Sequence, residues 1–147
     1  MITHIIAACK YGVVVTFVVA GLSKFIYPGY SVDIVHHILP VKSTTLIIFL
    51  IGAVEIIIGA SVLILKPSVI GLIAAAVADI LFISLSFYAE IFSIDISCGC
   101  LGILYQSKLG FSSLPSQISL GVLIVIVYRH ERNLTESNQT VRMRVWR

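Results

Sequence analysis

Three long apolar runs constrain this chain more than any other feature. Residues 5–26, 45–65 and 69–93 are almost wholly aliphatic, aromatic or small, and about 20 such residues in a helix cross the hydrocarbon of a bilayer. A fourth run, 114–128, is shorter. Ser113 just before it and Pro115 in its first turn suit a helix start. Alternation with period two is absent, which argues against a membrane barrel. Composition agrees: 59% of the 147 residues are hydrophobic and 12% charged, against about 45–50% and about 25% in soluble domains. The expectation is an all-α integral membrane four-helix bundle over 1–128, followed by a polar tail, 129–147.

The charges orient it. Lys10, Lys24, Lys42, Lys66 and Lys108 balance Asp33, Glu55, Asp79, Glu90 and Asp95, so the net charge of +3 resides in the arginine-rich tail. A nucleic-acid binder would spread base over a folded face, and none is expected as a partner. The positive-inside rule makes the tail cytoplasmic. Four crossings then return the N-terminus to the same side, and the connections 27–44 and 94–113 face outward. Tyr27, Tyr30, Tyr88, Phe92 and Tyr105 would form an outer aromatic belt, with Tyr128 at the inner boundary. Residues 31–39 have the pattern of a short surface helix. Val18-Val19-Ala20 looks like a processing site, but no basic stretch and normal-length apolar core precede it, so the first helix is expected to stay uncleaved.

Cys98-Gly99-Cys100 is the chemically most informative triplet. In the expected topology it lies beyond the outer end of the third span, where disulfides persist. Glycine permits the backbone angles a very small ring needs, and a strained, accessible disulfide is an exchanging one. The plainer alternative is a tight turn of small residues that never oxidises. Two thiolates with His36 or His37 could hold copper or zinc, but adjacent histidines diverge by about 100° on a helix, and no metal is expected. Cys9, near the opposite face, reads as a small core residue.

Ionisable groups within the spans are the second signal. Lys10, Glu55 and Asp79 each cost about 2.5–3.5 kcal/mol in a membrane helix unless paired or hydrated, so they are expected to form a polar network, with Lys10 reaching Asp79 or Glu55. Gly52 and Gly59 flank Glu55 at i−3 and i+4 and clear its face for a close helix. A register-fixing ion pair, a proton path and an anchor for a quinone headgroup are the alternatives. Glu90 follows Asp79 by eleven positions, on nearly the same face, and could take a thiol proton or pair with Lys24.

Phe17 to Phe25 (Phe-Val-Val-Ala-Gly-Leu-Ser-Lys-Phe), Gly52-Ala53-Val54-Glu55 and Cys98-Gly99-Cys100-Leu101-Gly102, in that order on four spans, resemble the MauE branch of the DoxX/MauE-like membrane proteins. The resemblance covers about residues 12–128, although Leu101 stands where that pattern usually has phenylalanine. It implies a multi-pass protein of the bacterial inner membrane, linked to methylamine utilisation and to maturation of the disulfide-rich small subunit of methylamine dehydrogenase. Cys98 and Cys100 would be the redox pair, with Lys24 and Glu55 as the intramembrane charges. The implied partners are membrane lipid and an extracytoplasmic thioredoxin-like or disulfide-containing protein. A larger membrane complex or a homo-oligomer is also compatible. Related DoxX-type proteins bring in a quinone. The rival readings are a non-catalytic subunit of a quinone-linked redox complex and a small oligomeric transporter using Glu55 and Asp79.

Overall fold

The structure is a computed structural model that describes residues 2–29, 32, 35, 43–65, 68–92, 111 and 113–145, with side chains described between His4 and Leu134 of that set. Four helices follow one another: α1 (Ile2–Ile26), α2 (Thr44–Ile64), α3 (Val69–Ile91) and α4 (Leu114–Val145). There is no strand among the described residues. For the first three spans the helix ends lie within three residues of the expected bounds. The surface helix expected over 31–39 lies mostly outside the described residues; the Val32 N–H donates to Pro28 O at 3.1 Å.

Successive helices run antiparallel. Phe25 of α1 stacks on Phe49 of α2 with ring centroids 5.3 Å apart, and Gly71 of α3 lies against Ser61 and Val62 of α2. Phe87 of α3 meets Phe111, just before α4, edge to face at 6.1 Å. Lys10 of α1 meets Glu131 of α4, which closes the ring of helices and brings the start of α1 and the polar half of α4 to one end. Two apolar clusters fill the interior. Val13, Phe17, Ala75 and Ile124 form one; Val14, Val62, Leu72 and Val127, with Cys9 packed against them, form the other. Cys9 is thus the partly buried core residue its sequence position suggests.

The outside is apolar too. Ile57, Ile64, Ile70 and Leu81 are exposed, the inverse of a soluble bundle, and in a bilayer these side chains meet lipid tails. His4–Ile26, Thr44–Ile64 and Val69–Ile91 are each long and apolar enough to cross a membrane. α4 is outside that class, because its apolar part stops near Tyr128. The helix itself continues beyond the expected span, through the polar tail to Val145. From Arg129 to Val145 there is neither glycine nor proline to break it, and helix hydrogen bonds do not require apolar side chains. Tyr27, Tyr88 and Phe92 are exposed at the opposite end, as the aromatic belt requires, while Tyr30 and Tyr105 lie outside the described residues.

Candidate functional site

The closest helix contact builds the first polar element. A Cβ placed on Gly21 of α1 would lie 2.6 Å from Gly52 O of α2, and one on Gly52 would lie 2.9 Å from Gly21 O. With two backbones this near, Lys24 lies across α2. Its Nζ donates to both Glu55 carboxylate oxygens, each at 2.8 Å. A longer bond reaches Ala20 O at 3.5 Å, and the Phe82 ring of α3 faces the ammonium with its centroid 5.7 Å away. Both side chains are buried. The pair therefore has what an intramembrane charge requires: an opposite charge, further hydrogen-bond acceptors and an aromatic face. Gly52 and Gly59 both pack on α1 as anticipated, while Gly21, their counterpart, was legible only as a small residue one turn before Lys24.

Lys10 does not join this pair, nor does it reach Asp79. It donates to Glu131 Oε1 at 3.0 Å and Ser68 Oγ at 3.1 Å. Lys10 lies near the start of α1, where antiparallel packing brings the Glu131 turn of α4 and the first residue before α3. Glu55 and Asp79 are set deeper. The expected single network is therefore two separate ion pairs. Their neighbours explain the miss: Glu131 was assigned to a tail rather than to a continuing helix.

Asp79 is the third element. It is 4% exposed, and its Oδ1 has no hydrogen-bond partner among the described residues. Across the α3–α4 seam stands Gly121, where an added Cβ would come within 2.8 Å of Asp79 Oδ2. Two turns along α3, Ser86 Oγ accepts from Gln117 Nε2 at 2.9 Å and lies 3.2 Å from Ser113 Oγ. At the end of the seam, exposed Glu90 accepts the Phe111 N–H at 3.2 Å. Glu90 thus meets the approach to α4, whereas the cation it was expected to share, Lys24, is taken by Glu55. Ser86, Gln117 and Gly121 went unnoticed in the sequence, and Ser113 was read only as a helix cap. The signal was there: Ser113, Gln117 and Gly121 follow each other at i, i+4 and i+8, matching Asp79, Ser86 and Glu90 at i, i+7 and i+11.

Cys98 and Cys100, with His36 and His37, lie outside the described residues. The described residues on either side of them, Phe92 and then Phe111 and Ser113, lie at the Lys24–Glu90 end of the bundle. The charged groups that a quinone carbonyl would call on, Lys24 and Lys10, are engaged with carboxylates.

The family model for methylamine utilisation protein MauE matches residues 2–129. No curated protein matches the chain, and no solved structure does. The chain belongs to the MauE family of membrane proteins.

Proposed function

We propose that this MauE-family protein exchanges disulfides through Cys98 and Cys100 on the extracytoplasmic side of the bacterial inner membrane. It would thereby support the maturation of exported disulfide-bearing proteins, of which methylamine dehydrogenase is the one the sequence resemblance implies. The thiolate of one cysteine attacks a partner's disulfide, breaking that S–S bond and forming a mixed disulfide. The second thiolate then attacks the cysteine sulfur of the mixed bond. The partner leaves as a dithiol and Cys98–Cys100 remains oxidised, with two electrons transferred and no net proton change. A thioredoxin-like dithiol returns the pair to its starting state by the same chemistry.

The observation that carries this reading is the anchoring of both ends of the cysteine segment. Before it stands α3 itself; after it, Phe111 packs on Phe87 and donates its N–H to Glu90, and Ser113 is buried against Ser86. A segment tied at both ends to a lipid-embedded bundle can present a two-cysteine turn to a soluble partner. α4 would complete the fourth crossing, leaving both termini cytoplasmic. The transporter reading has less support, because Glu55 is closed on Lys24 rather than open to a passage.

Thiol trapping in intact cells tests the proposal. An impermeant alkylating reagent should label Cys98 and Cys100 from outside the cell, most fully after external reduction, and Cys98→Ser/Cys100→Ser should abolish exchange while leaving assembly intact. Cysteines that react only after the membrane is opened would end the exchange reading. Full function of the double variant would leave a non-catalytic subunit of a redox complex.

A further inference from the structure

We infer that Asp79 is a proton-binding site loaded from the Glu90 end of the bundle alone, through the α3–α4 seam. Its carboxyl is buried at mid-span, and Oδ1 lacks a hydrogen-bond partner among the described residues. Among the described residues, the lysines of the spans are committed elsewhere: Lys24 to Glu55 and Lys10 to Glu131. Gly121 of α4 faces it, and one turn back along α3 Ala75 enters the apolar cluster of Val13, Phe17 and Ile124. None of these titrates. A buried carboxyl so placed has a proton as its natural partner.

The seam supplies a route on one side only. Outward from Gly121, Gln117 is one helical turn away, about 6 Å, and it is bonded to Ser86, which meets Ser113. Ser86 is again about 6 Å along the axis from Glu90, whose carboxylate is exposed. Each gap is short enough for one or two waters to bridge hydroxyls and carboxylates. In the other direction Val14, Val62, Leu72 and Val127 close the interior before Lys10 and Glu131 are reached. Gly121 keeps the seam open at its inner end, since a side chain there would press on the carboxylate. In the step itself, a water in the seam gives its proton to Asp79 Oδ1 and is replenished from Glu90; reversal returns the proton by the same path. This inference does not rest on thiol exchange.

The test uses the full chain in detergent or liposomes. Dicyclohexylcarbodiimide, an apolar reagent for protonated carboxyls, should modify Asp79 and spare Glu55, as mapped by mass spectrometry, and Asp79→Asn should abolish the label. The carboxylic C=O band of Asp79 should exchange its proton for deuterium at least tenfold more slowly in Ser86→Ala/Gln117→Leu. Should that variant fail to assemble, the surface variant Glu90→Gln should also slow exchange, whereas Lys10→Met at the far end should not. Cys98→Ser/Cys100→Ser should label like the native chain, so failure of the exchange chemistry would not touch this result. Labelling at Glu55 in place of Asp79, or exchange as fast in both seam variants as in the native chain, would overturn the inference.

Discussion

The α1–α2 seam and the α3–α4 seam each bury a carboxylate at mid-membrane, and they treat it in opposite ways. On the first, glycines bring two backbones together and Glu55 receives both oxygens' worth of hydrogen bonds from Lys24. On the second, Asp79 packs against a glycine, and among the described residues its Oδ1 has no hydrogen-bond partner. The first arrangement fixes helix register, because shifting either helix by one turn would strand a charge in lipid. The second tolerates movement and retains a group able to gain or lose a proton. One bundle thus separates a locked charge from an available one.

The same chemical change, carboxylate to amide, should expose that difference. Glu55→Gln leaves the Lys24 ammonium buried without a counter-charge, and breaking a buried pair in this way costs about 3–5 kcal/mol. That is expected to be the largest effect of any single substitution considered, read as a lowered midpoint in unfolding of the detergent-solubilised protein followed by circular dichroism. Replacing both partners, Lys24→Met with Glu55→Met, should recover most of the loss, since an apolar pair of similar volume needs no compensation. A double variant as unstable as Glu55→Gln would mean that the pair does more than cancel its own burial.

Asp79→Asn should behave otherwise. It removes the ionisable group without stranding a partner, so stability should change by less than about 1 kcal/mol, in either direction. A loss as large as that of Glu55→Gln would reveal a cation on Asp79 and erase the distinction between the seams.

Much of this was legible before any coordinates. Spans, bundle class and the glycine clearance beside Glu55 follow from periodicity and bilayer thickness, which act on each segment alone. Pairing was harder. Lys10, Lys24, Glu55, Asp79 and Glu131 allow several ion pairs, and which forms depends on the depth at which antiparallel helices align. Segment composition hardly encodes that depth. Lys24 was matched with Glu90 by its outer level, yet the Gly21–Gly52 approach sets it beside Glu55. Glu131 was missed because polarity was taken to end the fourth helix, although backbone hydrogen bonding carries it further.

The smallest effect belongs to the pair at the other end of the bundle, and it tests whether burial, rather than charge itself, separates the seams. Lys10 and Glu131 are 3.0 Å apart, with 23% and 22% of their side chains exposed. Water and salt reach this pair, and such contacts contribute at most about 1 kcal/mol. Glu131→Gln should therefore shift the unfolding midpoint only slightly, and raising salt to about 1 M, where screening acts over about 3 Å, should remove most of the shift. The buried Lys24–Glu55 pair should be nearly indifferent to the same salt. If Glu131→Gln instead matched Glu55→Gln and resisted salt, the bundle's end would be as dry as its centre, and depth would no longer explain why one pair locks the fold and the other only tethers it.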